Sequence, residues 1–300
     1  MRLCLFLLLA VSWLGCDARR STSQPASSSP AASDARLEYT QARAAFRTKL
    51  IRRGPSPEPP SAVHFSKLKR PPGVELVEFS SGELRLAAWT QSPPAEGSKL
   101  PAVLFLHGGW GFDEGDWEHT KAFREAGYIV LAPMLRGENG CPGTFTMFYD
   151  EVDDVLAAGE FLAARPYVDP KRVYLAGYSA GGTLAMLAAM ASDRVRAAAA
   201  LDGSPDRRAF VRGREEEVPF DSANPDEFRM RSPRDFPTCF RCPIRLYCSE
   251  DVGGFTEETR RLAASAKRAG LDVDMMSVPG DHGTFREPAT RLAIEFFRTK

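Results

Sequence analysis

The sequence predicts an α/β domain, with a mostly parallel central sheet of about eight strands and helices on both faces. Three observations carry this expectation. Short apolar runs of strand length recur from residue 74 onward, segments of helical periodicity lie between them, and a Gly-rich turn stands where one such strand passes into one such helix. The composition agrees. At 300 residues, 43% hydrophobic and 26% charged, the chain is long enough for one large domain plus a tail and is unlike a disordered or collagen-like polymer.

The N-terminus reads differently from the rest. After Met1-Arg2, the apolar run over residues 3–14 is too short to cross a bilayer as a helix but suits the core of a signal peptide. It ends in Trp13-Leu14-Gly15-Cys16, which resembles a bacterial lipobox; Trp13 and Leu14 depart from its usual residues. The resemblance implies a signal peptide over 1–16, lipidation at Cys16, export and a membrane-held product in a bacterial cell envelope; an ordinary cleaved signal and an uncleaved anchor are the alternatives. Residues 17–60 are expected to be a flexible tether, since 17–33 hold almost no large apolar side chain to offset the entropy of ordering. Within it, residues 34–53 could form a helix, with Leu37, Ala44, Phe46 and Ile51 on a ragged apolar face that docks on the domain behind it. The domain proper is expected over 61–300.

Residues 74–79 and 84–90 read as strands of a hairpin turned at Ser80-Ser81-Gly82. Residues 102–106, 128–132, 173–176, 244–248 and 273–278 are short apolar runs of the kind buried on both faces of a sheet. Val152, Val155, Leu156, Gly159 and Leu162 recur at helical spacing, as do Leu184, Leu187 and Ala188, and later Leu292 and Phe296. Residues 197–201 are alanine-rich and ambiguous, but their place in the alternation makes them a strand. Residues 203–242, rich in Arg and Pro, break the rhythm and read as a small lid-like insertion.

The chemistry starts at Gly177-Tyr178-Ser179-Ala180-Gly181, a G-x-S-x-G that follows a strand run and precedes a helical one. A sharp strand-to-helix turn lifts a serine hydroxyl above a sheet, and small flanking residues let the backbones approach there. Ser179 is therefore the candidate nucleophile, and it needs a base to take its proton. Of the four histidines, only His282 follows Ser179, in the order Ser…Asp/Glu…His. The acid that orients it should stand just past a strand between the two. Asp251 is favoured, then Glu250, with Asp202 a weaker third, at the end of the preceding strand. The oxyanion of an acyl-transfer intermediate calls for two N–H donors. Ala180 is one candidate; the other comes from the turn His107-Gly108-Gly109-Trp110, through Gly109 or Trp110. Trp110 and Phe112 are candidates for the acyl pocket or for packing against the end of the sheet.

From about residue 74 to the C-terminus the chain resembles the α/β-hydrolase superfamily, and most of all the catalytic domains of prolyl oligopeptidase-like and dienelactone hydrolase-like members. Residues 131–137 (LAPMLRG) are similar to their strand-then-Arg-Gly segment, and 167–173 (YVDPKRV) to the usual lead into the elbow strand. The resemblance implies an α/β-hydrolase fold and a serine hydrolase that uses no metal or organic cofactor. Two departures stand out. Cys248-Ser249 occupies the place of a common His-Gly pair, and the nucleophile is Ser where dienelactone hydrolases carry Cys. With no propeller domain expected ahead of the hydrolase, a carboxylic ester is the favoured substrate. A prolyl oligopeptidase-like peptidase is the first alternative, and a catalytically idle hydrolase fold used as an envelope binding protein is the second.

Four cysteines lie beyond the leader and Cys16. Cys141, Cys239, Cys242 and Cys248 could hold a disulfide or stay free; Cys239-x-x-Cys242 lacks the second ligand pair of a zinc site. The charge runs Arg214–Glu217 and Asp153-Asp154 read as solvated faces. Lys and Arg balance Asp and Glu at 39 each, yet residues 1–70 carry 12 basic against 4 acidic residues and residues 71–300 carry 27 against 35. An acidic domain is a poor partner for nucleic acid, whereas a basic segment next to a lipid anchor suits anionic headgroups. The expected partners are an ester or peptide acyl substrate and a membrane.

Overall fold

A computed structural model describes residues 30–57, 62–92, 97, 99–250 and 255–300. β1 (Val74–Ser81) and β2 (Leu84–Gln91) form the antiparallel hairpin, and β2 continues antiparallel onto β4 (Ile129–Pro133). β4, β3 (Leu100–Leu106), β5 (Val168–Tyr178), β6 (Ala198–Leu201), β7 (Ile244–Ser249) and β8 (Val273–Val278) then run parallel, so the sheet order is β1-β2-β4-β3-β5-β6-β7-β8. Every residue of β4 and β6 is buried, which explains their unbroken apolar runs; β8, at the edge, is buried only at its two ends. The alanine-rich run is thus a strand despite its helix propensity. Its small side chains let α5 (Ala180–Ala191) lie close against a central strand.

The remaining helices are α1 (Pro30–Ala45), α2 (Glu114–His119), α3 (Lys121–Glu125), α4 (Glu151–Ala163), α6 (Arg207–Phe210), α7 (Pro225–Arg229), α8 (Thr256–Arg268) and α9 (Arg286–Arg298). Alternate residues of β5 show why both faces are covered. Val173 and Leu175 point toward Leu156 and Gly159 of α4 and Ala188 of α5, while Tyr174 stacks on Phe297 of α9 at 4.7 Å between ring centroids. Because β3, β5, β6 and β8 run parallel, the turns that follow them all leave the same end of the sheet.

Two expectations need correction. Residues 37–57 belong to the fold, not to a tether. The helix ends at Ala45, and Tyr39 is fully buried with its ring 4.9 Å from Phe236. Arg43 bonds Asp153 at 2.9 Å, Ile51 N donates to Pro219 O, and Ser56 Oγ donates to Trp110 O at 2.6 Å. Apolar contact and satisfied polar groups together tie this strap to the insertion and to the turn after β3. Nor is Asp153-Asp154 a solvated pair. Asp154 is completely buried, taking hydrogen bonds from Ser81 Oγ and from the backbone N–H, Nε and Nη2 of Arg136. A buried carboxylate survives only with such partners.

The insertion over 203–242 carries α6 and α7. Its anchor is a fully buried ion pair, Arg231 Nη1 to Glu227 Oε2 at 2.6 Å. Arg231 also donates to Thr146 O, Glu227 O and Thr48 Oγ1, and Glu227 accepts from Thr48 Oγ1 and Lys49 N. Cys141, Cys239, Cys242 and Cys248 are all buried, and burial pushes the pKa of Cys242 up to about 12 and that of Cys248 to about 11. The expected leader and Cys16 lie outside the described residues.

Candidate active site

Ser179 caps α5 at the end of β5 with φ 56° and ψ −115°, a left-handed conformation that costs a non-glycine residue energy. The turn is held by its surroundings: Ser179 N donates to Leu201 O at 2.8 Å and Gly181 N to His107 O at 3.0 Å. It can close only because Gly177 and Gly181 lack a Cβ. A methyl on Gly177 would overlap the Gly181 carbonyl, and one on Gly181 the carbonyls of Leu106 and His107. The serine hydroxyl is left half-exposed above the sheet.

His282, in the loop after β8, places Nε2 3.1 Å from Ser179 Oγ and Nδ1 2.8 Å from Asp202 Oδ2. Asp202 is thus the carboxylate on the imidazole. Asp251 lies outside the described residues, and Glu250 is exposed, its N–H bonded to Val278 O. The reason is visible at the end of β7. Ser249 donates its N–H to Asp202 Oδ1 at 2.8 Å and its hydroxyl to Oδ2 at 2.6 Å. The strand expected to lead to the acid instead supplies two donors to an acid one strand earlier. Asp202 itself has φ 50°, a region that Asp and Asn enter more readily than other non-glycine residues, and its side chain is buried.

Tyr178, the variable residue inside the motif, was not singled out from sequence. Its ring stacks on the His282 imidazole at 4.9 Å, and its hydroxyl donates to His282 O at 2.7 Å. It therefore fixes both the plane and the backbone of that histidine.

Ala180 and the turn after β3 face one another. A Cβ on Gly108 would come within 3.3 Å of the Ser179 Cβ, and Gly109 needs its φ of 70° to turn the chain there. Trp110 Nε1 bonds Glu217 of the insertion at 2.8 Å. Gly109, Trp110 and Ala180 border a narrow cavity walled by Phe145, Phe148 and Leu184. Phe112 is core: it packs edge-on to Trp89.

His107 braces this turn. Nδ1 lies 2.9 Å from Gly108 O and Nε2 3.1 Å from Glu138 Oε2, two acceptors that together call for a doubly protonated ring. Burial opposes that charge, but the Glu138 carboxylate and the Gly108 carbonyl outweigh it and hold the pKa up at about 10. An upward shift means that the stability this pair contributes is full below pH 6.5 and is lost as pH rises toward 10. The thermal midpoint should accordingly fall across that window, and His107→Gln should flatten the fall. Circular-dichroism melts at stepped pH read this; an equal slope in both proteins would refute it.

The family model of the prolyl oligopeptidase family (Peptidase_S9) matches residues 116–297, which include Ser179, Asp202 and His282. The chain belongs to the prolyl oligopeptidase family. Its fold is the α/β-hydrolase fold. Relatives of this family member include the uncharacterized peptidase YtmA of Bacillus subtilis, 30% identical over 99 residues, covering 32% of this chain and 38% of that one. The chain thus spans well under two thirds of that relative. Among solved structures, Pyrococcus horikoshii acylaminoacyl peptidase aligns with a TM-score of 0.64 at 23% identity, over 75% of this chain and 41% of the peptidase. A thermophilic esterase of Thermogutta terrifontis aligns with a TM-score of 0.60 at 19% identity, over 76% of this chain and 94% of the esterase. At such identities the likeness is one of fold.

Proposed function

We propose that this serine hydrolase cleaves a carboxylic ester, and the observation that carries the reading is the continuous relay Ser179–His282–Asp202 at 3.1 and 2.8 Å. Ser179 Oγ attacks the ester carbonyl carbon while His282 Nε2 takes the hydroxyl proton. Asp202, bonded at Nδ1, keeps the ring in the tautomer with Nε2 free. The N–H groups of Ala180 and of Gly109 or Trp110 receive the oxyanion. When the intermediate collapses, the alcohol leaves with the proton from His282, and water repeats the sequence to free the acid. An ester makes the smaller demand on this site, because its alkoxide leaves more readily than an amine.

The peptidase reading stands second, supported by the family model. Labelling by a fluorophosphonate probe, followed by a panel of p-nitrophenyl esters and peptide anilides, separates the alternatives. The expected result is labelling of Ser179 with esters turned over and anilides not. Anilide turnover above ester turnover would favour the peptidase, and an unlabelled Ser179 would leave only the idle binding fold.

We further propose that the protein is exported and held on a membrane through lipid at Cys16. The support is the apolar run over 3–14 and the basic residues that follow. No helix among the described residues is long and apolar enough to cross a membrane. Cys16→Ala should move the protein from the membrane pellet to the soluble fraction; retention in the pellet would count against lipidation.

A further inference from the structure

The insertion holds two fully buried arginines with opposite environments. Arg231 is hydrogen-bonded through Nε, Nη1 and Nη2, including to the Glu227 carboxylate. The Arg207 guanidinium, equally buried, has one hydrogen bond among the described residues, from Nη2 to Thr183 Oγ1 at 3.1 Å. Its Nε and Nη1 have no partner among the described residues. The guanidinium lies between the rings of Phe148 and Phe210, 4.1 Å from each centroid. The carboxylates that act on it most, Asp206 and Glu217, spend their hydrogen bonds elsewhere, on Arg208 N and Arg234 and on Trp110 Nε1. Burial accordingly draws the Arg207 pKa down to about 9. A buried cation with open donors and no carboxylate bonded to it among the described residues is a costly arrangement that a bound anion would relieve.

Its position says which anion. Thr183 lies one turn along α5 from Ser179, and its N–H bonds Ser179 O. Phe148 carries Arg207 on its ring and also walls the cavity beside Ala180 and Gly109, and Phe148 and Phe210 both pack against Trp110. We propose that Arg207 is a specificity residue that receives a carboxylate carried by the substrate itself, so that the esters cleaved here are anionic. The Nε–H and the second N–H of Nη2 form the parallel edge of the guanidinium that matches the two oxygens of a carboxylate, and the flanking rings exclude water from the pair.

This inference rests on the ester-hydrolase reading, and its test keeps the two apart. Initial rates are compared for p-nitrophenyl hydrogen succinate, with the carboxylate on the acyl side, and 4-acetoxybenzoate, with it on the leaving side. Their neutral counterparts are p-nitrophenyl pentanoate and phenyl acetate. Wild-type protein should favour one anionic ester over its counterpart by roughly 10–100-fold in kcat/KM, carried mainly by KM. Arg207→Met should erase that ratio and Arg207→Lys should keep part of it. Turnover of neutral esters without any anionic preference, or a preference that survives Arg207→Met, would overturn the inference while leaving the hydrolase reading intact. If no ester is turned over, thermal shift with glutarate decides. Stabilisation of wild type that Arg207→Met lacks supports the anion site, and equal or no stabilisation overturns it.

Discussion

Asp202→Asn should lower kcat toward an activated ester by about 10⁴-fold, the scale set when a triad carboxylate becomes an amide and the histidine takes the wrong tautomer. The substitution is a clean one. Asn tolerates the φ of 50° found at this position, so the turn after β6 can persist while the charge is removed. Asp251→Asn should leave kcat within about threefold, because the imidazole Nδ1 is already bonded to Asp202 at 2.8 Å. Pre-steady-state turnover of p-nitrophenyl acetate by the two variants decides between the carboxylates. A collapse in Asp251→Asn together with a mild effect in Asp202→Asn would reverse the assignment.

The second large effect concerns stability. Glu227→Ala leaves the Arg231 guanidinium, with side-chain exposure of 0%, buried without its carboxylate. Breaking a buried pair from one side costs about 3–5 kcal/mol. In a chain of this size that should lower the thermal midpoint by roughly 10 °C. Glu227 also accepts from Thr48 and Lys49, so the loss should loosen the N-terminal strap along with the insertion. Denaturant titration followed by circular dichroism measures it, and a loss under about 1 kcal/mol would mean that the pair is dispensable. Glu227→Gln, which keeps one acceptor oxygen and loses the charge and the second acceptor, should fall between wild type and Glu227→Ala.

The alternation of strands and helices, and the passage through Gly177–Gly181, were legible because each is written in consecutive residues. Burial on both faces leaves unbroken apolar runs in β3, β4 and β6, and a tight turn demands glycines at set offsets from Ser179. His282 was legible by elimination, since it is the one histidine beyond the serine. The choice of acid was not. Asp251, Glu250 and Asp202 all follow apolar runs, and nothing local separates a carboxylate that meets an imidazole from one that meets solvent. The departure at Cys248-Ser249 is the one local trace of the outcome, since Ser249 is the donor to Asp202. Asp154 misled for the same reason, because its charge is matched by Arg136, 18 residues earlier.

By itself, then, the sequence determined the fold class, the serine at the elbow and the histidine that serves it, all properties of order along the chain. Only the tertiary structure decided that Asp202 completes the relay, that Tyr178 braces His282, that residues 37–57 are part of the domain, and that Arg207 lies buried with no carboxylate bonded to it among the described residues. Each of these depends on distance between residues far apart in the chain. Hydrogen bonds and ion pairs act over about 3 Å, and separation in sequence does not report that distance.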